Sequence, residues 1–94
     1  MRYSGRWMTL ADDRILEYIA EYGSGRPKEM KDSGYVRYTR SYISQRCKEL
    51  VNYGLLTHLG NGVYVITEDG ERYLAGEIDT AELEKEDKEK EVAV

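Results

Sequence analysis

Thr39-Arg40-Ser41-Tyr42-Ile43-Ser44-Gln45-Arg46-Cys47-Lys48-Glu49-Leu50-Val51 reads as one helix with two unlike faces. Thr39 is placed to cap its first turn, because a hydroxyl there accepts from amides that have no partner inside the helix. Ile43, Cys47, Leu50 and Val51 follow at spacings of four, three and one, so they share one stripe at about 100° per residue, and that stripe faces a core. Ser41, Gln45, Lys48 and Asn52 recur at spacings of four, three and four on the opposite side. All four donate hydrogen bonds and none is acidic, while the one acid of the helix, Glu49, stands off that line. An apolar back with a small-polar and basic front suits the DNA major groove, which is wide enough to admit a helix. The same pattern also describes an ordinary amphipathic surface helix, so the rest of the chain must separate the two readings.

The 94 residues set the scale of one domain with one modest core. No apolar run approaches the roughly 20 residues that span a bilayer, and the first residues lack the apolar segment of a signal peptide. A cytoplasmic protein without membrane contact is expected. The single Cys allows no internal disulfide and fits a reducing compartment. With one Cys and one His, a zinc site of Cys and His ligands within one chain is not expected, nor is any other cofactor.

The net charge of -4 hides a division. Residues 77–94 carry eight acids and three lysines. Residues 26–48 carry seven bases (Arg26, Lys28, Lys31, Arg37, Arg40, Arg46, Lys48) against two acids (Glu29, Asp32). Basic charge is thus gathered around the Thr39 helix, which is the footprint that attracts phosphates.

Upstream, residues 1–8 read as an N-terminal arm, with Trp7 packing on the core or at a subunit contact. Arg2 and Arg6 give the arm a weak basic character. Thr9 to Tyr22 predicts helix one, opened by Thr9 with Asp12 as a version of the capping box. Its apolar face is Ala11, Ile15, Leu16, Ile19 and Tyr22, and Gly23-Ser24-Gly25 ends it. Pro27 to Ser33 predicts a short helix two, anchored by Met30 and ended by Gly34. Val36 is expected to tuck inward from the turn that leads to Thr39. Downstream, Leu55 to Leu59 and Val63 to Ile66 flank Gly60-Asn61-Gly62 and predict a β-hairpin. Thr67 caps a further helix to Ala75, with Glu68, Asp69 and Glu71 in a first turn that favours acids. Glu84–Lys88 and Glu86–Lys90 are candidate i,i+4 pairs in the tail, which is expected to be partly disordered or helical.

The order helix, helix, helix, hairpin, helix makes the fold α+β, mainly α: a winged helix-turn-helix with three helices, a short β-hairpin wing and a C-terminal helix. The expected divisions are the arm at 1–8, a winged-helix DNA-binding domain at 9–76 and an acidic tail at 77–94.

Particular residues carry a family resemblance. They are Trp7-Met8-Thr9 with Ala11-Asp12, Tyr42 to Arg46 with Glu49-Leu50 and Gly54-Leu55, and Gly62-Val63-Tyr64 leading to Ile66 through Gly70 and Tyr73-Leu74. In their order and spacing the chain resembles the winged-helix repressor-like family named after the phage phi-H of halophilic archaea. The resemblance runs from residue 7 to about 83. Two departures stand out: Cys47 where a Leu is usual, and a segment from Lys31 to Tyr38 rich in Tyr and charge. The resemblance implies a transcription regulator, archaeal or phage in setting, working in a saline cytosol. At about 1 M salt the screening length is only about 3 Å. Non-specific phosphate attraction is then weak, and base contacts must contribute more.

The DNA reading divides the residues by task. Ser41, Tyr42, Gln45 and Lys48 are the candidates for base edges: Gln pairs two-fold with adenine, Lys reaches guanine, and a Tyr ring meets a thymine methyl. Arg26, Lys28, Arg37, Thr39, Arg40 and Arg46 are the candidates for the sugar-phosphate backbone. Asn61 and Tyr64 are the candidates on the wing. Plainer roles stand beside these: Tyr42 as a packing partner, Arg26 and Lys28 as solvated charges. The reading is a double-stranded-DNA-binding regulator, a repressor, acting as a homodimer, with no enzymatic activity and no small-molecule ligand evident. The expected subunit interface uses Tyr3, Trp7, the first helix and the segment from Ile78 to Leu83. The competing readings are a winged-helix module for protein–protein contact and a thiol sensor working through Cys47. The first of these needs an apolar or acidic front on the Thr39 helix. The second needs a reactive thiol on what is otherwise an apolar stripe, where a Cys acts as a small hydrophobe.

Overall fold

The computed structural model describes residues 1–83. The expected tail pairs Glu84–Lys88 and Glu86–Lys90, and the expected state of residues 84–94, lie outside the described residues. In order come α1 (Leu10–Tyr22), α2 (Pro27–Asp32), α3 (Arg40–Asn52), β1 (Leu56–Gly60), β2 (Val63–Ile66), α4 (Glu68–Leu74) and a 3-10 turn at Thr80–Glu82. This is the winged helix-turn-helix.

Local chemistry sets each boundary. The Asp12 carboxylate accepts from the Thr9 amide at 2.9 Å at the start of α1. Gly23, at φ +86°, ends that helix in a left-handed conformation that costs glycine nothing. The Thr39 hydroxyl accepts from the Tyr42 amide at 3.1 Å and opens α3. Thr67 serves two elements, accepting from Gly70 N at 3.1 Å and donating to the Gly54 carbonyl at 2.6 Å. It therefore ties the start of α4 to the end of the α3 turn.

The expected stripes meet in one core. Ile15, Leu16 and Ile19 from α1, Met30 from α2, Val36 from the turn, and Ile43, Cys47 and Leu50 from α3 are buried together with Leu55, Leu56, Tyr64 and Tyr73. Tyr22 is the exception on α1, being 61% exposed. The hairpin pairs Leu56 with Ile66 and His58 with Tyr64, with a bulge between His58 and Gly60. It carries an extra rung: Gly25 and Tyr64 exchange two backbone hydrogen bonds, at 3.0 and 2.9 Å. The helix-one to helix-two loop thus pairs with the strand behind the wing.

The ends of the described chain depart from the expected divisions. Residues 1–8 are no free arm, and 77–83 belong to the packed domain. Tyr3 forms a parallel bridge with Asp79. The Thr80 amide donates to the Tyr3 carbonyl at 3.0 Å, and the Gly5 amide donates to the Thr80 hydroxyl at 2.7 Å. Arg2 is held by Glu17 at 2.9 Å and by the Leu74 carbonyl at 3.3 Å. Trp7, Ile78 and Leu83 are partly buried and pack on the chain's own core.

Gly70 offers a test of this packing. A Cβ there would fall inside the contact distance of the Leu55 carbonyl oxygen and of Ile66 Cγ1. Ala favours a helix over Gly by about 1 kcal/mol, but forced overpacking costs about 1–3 kcal/mol. Gly70→Ala is expected to destabilise the fold, read as a lower urea midpoint. A raised midpoint would mean that α4 is not pressed onto Leu55 in this way.

Candidate nucleic-acid interface

The front of α3 is open. Ser41, Gln45 and Lys48 are exposed, while Ile43, Cys47 and Leu50 on the opposite stripe are fully buried. Arg40, Ser41, Ser44, Gln45 and Lys48 line one shallow depression on this front. Ser44 was missed by the sequence reading, although it stands three after Ser41 and four before Lys48, the spacing of one helix face. Beside it, Lys31, Arg37, Tyr38 and Thr39 line a second depression together with Gly34 and Val36, at the turn between α2 and α3. Lys31 is a cation the sequence reading did not assign; its place in the basic run was the available signal.

The other assigned residues divide. Arg26, Arg37 and Arg40 are exposed. Lys28 is exposed too and makes a loose pair with Asp32 at 3.8 Å. Tyr42 is half-buried, its ring tilted against that of Tyr38 with centroids 5.3 Å apart. Asn61 is exposed at the wing tip, in a left-handed conformation at φ +53°. Asn52, at the far end of the front, is half-buried.

Two assignments need correction. Arg46, expected on phosphates, is a structural cation. Its Nε donates to Asp12 Oδ1 at 2.8 Å, and its Nη2 donates to Asp12 Oδ2 at 2.7 Å and to the Trp7 carbonyl at 3.0 Å. The hydrogen bond to Asp12 holds the guanidinium pKa above its ordinary value despite partial burial. Tyr64, expected on the wing surface, is 3% exposed. Its ring is stacked with His58 at 4.6 Å, and its backbone is paired with Gly25. Of the two wing assignments only Asn61 faces outward.

Cys47 is fully buried, and burial pushes its thiol up to about 12, with the charge of Asp12 adding to the effect. A thiol nucleophile reacts as its thiolate, so this environment opposes the sensor reading. Alkylation of Cys47 in the folded protein is expected to run far slower than in urea, followed by mass spectrometry. Labelling at a free-thiol rate without denaturant would overturn this assignment. Among the described residues, no three His, Cys, Asp or Glu side chains are grouped to hold a metal ion. No helix among them is long and apolar enough to cross a membrane.

Residues 1–86 match the family model described as winged helix-turn-helix phage repressor. The chain belongs to that family. Its class is that of DNA-binding regulators. Among relatives of the family, it is 40% identical over 90 residues to the "Repressor protein" of Halobacterium phage phiH, covering 84% of this chain and 92% of that one. Its structure superposes with a TM-score of 0.86 on the crystal structure of the PhiH1 repressor-like protein from Haloarcula marismortui. That protein is 53% identical to it, with 90% of this chain and 97% of the other covered. The expected family resemblance therefore holds over nearly the whole chain, and the fold of this phage repressor family is the one described above.

Proposed function

We propose that the chain is a sequence-specific repressor that binds double-stranded DNA as a homodimer and lays α3 in the major groove. One observation supports this most: a polar and basic front on α3, open to solvent, directly opposite a buried stripe. Gln45 pairs two-fold with adenine, and Lys48 donates to guanine. Ser41 and Ser44 bond base edges or phosphates, and the Tyr42 ring meets a thymine methyl. Arg37, Arg40 and Lys31 grip phosphates and set the register, with Arg26, Lys28 and Thr39 at the margin. Asn61 at the wing tip touches the flanking backbone.

A single α3 reads only a few base pairs, so two copies on a pseudo-palindrome double the contacts, with half-sites about 10 base pairs apart. The test is selection of bound fragments from a random duplex pool at about 1 M salt, where the screening length is about 3 Å and phosphate attraction is weak. The expected outcome is one enriched sequence with two related halves about one helical turn apart. A pool that returns no common sequence, with binding that vanishes as salt rises, would sink the specific reading.

A further inference from the structure

We infer that Trp7 is a positioning residue for the DNA-reading helix: it fixes the rotation of α3 from outside the groove. The inference rests on the major-groove reading of α3. Trp7 holds that helix at two points. Its ring lies flat on Tyr53, the residue that caps the end of α3, with centroids 3.7 Å apart and planes 4° apart. Its carbonyl accepts from Arg46 Nη2 at 3.0 Å, and Arg46 is already gripped by Asp12 of α1. Arg46 and Tyr53 are seven residues apart, almost two full turns, so they lie on one flank about 10 Å apart along the axis. Two contacts on one flank oppose both rotation and tilt.

Trp7 is itself braced. Its indole Nε1 donates to the Thr80 carbonyl at 3.0 Å. Thr80 is fully buried, and its hydroxyl accepts from the Gly5 amide at 2.7 Å. A Cβ on Gly5 would lie 2.8 Å from Ala81 Cα and 3.1 Å from Trp7 Cδ1, so the two segments of this clasp touch without slack.

The magnitudes make rotation matter. Side chains ride about 5–6 Å from a helix axis, so turning α3 by about 10° moves Gln45 and Lys48 by about 1 Å. Two-fold base contacts tolerate about 0.5 Å. A loosened clasp therefore abolishes discrimination between sequences before it abolishes attraction to phosphate.

The experiment is a double-mutant cycle on DNA binding, using fluorescence anisotropy with a selected duplex and a scrambled duplex of equal length. It is run at a temperature where circular dichroism finds every variant folded. In the wild-type background Gln45→Ala is expected to lower the specific-to-scrambled ratio about tenfold. Trp7→Leu alone is expected to lower the same ratio about tenfold with scrambled binding unchanged. In the Trp7→Leu background Gln45→Ala is expected to cost less than about threefold further, because Gln45 no longer meets its base. Gly70→Ala, destabilised elsewhere in the domain, is expected to keep the wild-type ratio.

Full, undiminished cost of Gln45→Ala in the Trp7→Leu background overturns the inference while leaving the groove reading in place. No cost of Gln45→Ala in the wild type overturns the groove reading and the inference with it. If Trp7→Leu does not fold, Tyr53→Leu removes the other half of the stack and Trp7→Phe removes the indole donor and part of the stacked ring while keeping an aromatic face. Both are expected to show the same loss of Gln45 dependence, smaller for Phe, and unchanged dependence in both overturns the positioning role.

Discussion

Asp12→Ala is expected to lose about 3–5 kcal/mol of folding stability, the loss that follows when one partner of a buried ion pair is removed. Asp12 is fully buried, and the Arg46 side chain is only 16% exposed. Both carboxylate oxygens are engaged by the guanidinium. Truncation takes away both carboxylate contacts of a guanidinium inside the domain and leaves it the Trp7 carbonyl. It also removes the acceptor for the Thr9 amide at the start of α1. By contrast, the exposed Lys28–Asp32 pair contributes little: Asp32→Asn is expected to change stability by no more than about 0.5 kcal/mol. The two variants are compared by urea unfolding at low and at high salt. The Asp12 loss is expected to persist in high salt, since buried pairs are screened far less than surface ones. A loss below about 1 kcal/mol would mean that Arg46 finds water or another partner freely, and that α1 and α3 are not locked through this pair. The double variant Asp12→Leu with Arg46→Met is expected to recover most of the loss, because the penalty belongs to the orphaned charge.

The second large effect concerns discrimination. Gln45→Ala combined with Lys48→Ala is expected to lower the preference for the selected duplex over a scrambled one by about 2 kcal/mol or more per half-site, from about 1–3 kcal/mol for each base-specific contact. That is at least about a 30-fold change in ratio. Arg37→Ala and Arg40→Ala are expected to behave differently. Each weakens all duplexes alike and lowers the slope of log affinity against log salt by about one per half-site, hence by about two for the dimer. Anisotropy titrations across a salt series separate the two behaviours. If the Gln45 and Lys48 pair leaves the ratio untouched, the front of α3 does not read bases, and the duplex must be sought elsewhere on the domain.

The fold was legible because its local signals agree. Thr39 and Thr67 cap helices, Gly23 and Gly34 end them, and the stripes through Ile15, Ile43 and Leu50 meet in one core. The exposed front of α3 was legible for the same reason, since a helix with a buried stripe must present its other side. Contacts between residues far apart in the chain were not legible. Arg46 looked like a phosphate contact because its charge and its place on a flank say nothing about Asp12, 34 residues earlier. A clue was present in Asp12 itself: it precedes Ile15, Leu16 and Ile19 by three, four and seven, which puts an acid on an apolar stripe where it must find a cation. Tyr64 was misplaced because strand alternation fixes which residues share a face, not that this face would close onto the helical core. The clasp of Tyr3, Gly5 and Trp7 on Thr80 has no local signature, since it depends on the two ends of the domain meeting.

The rung between Gly25 and Tyr64 carries a consequence for how such a repressor diversifies. Because the hairpin is stitched at Tyr64, close to its tip, to the loop after the first helix, only the few residues beyond that stitch remain at liberty to vary in length. Added residues between Gly60 and Gly62 extend the finger without shifting its root, whereas the same addition at Ser24 pulls the stitch apart. On the proposed reading, new operators would be reached by editing the fingertip and the face of one helix, on a frame whose spacing between the two stays constant.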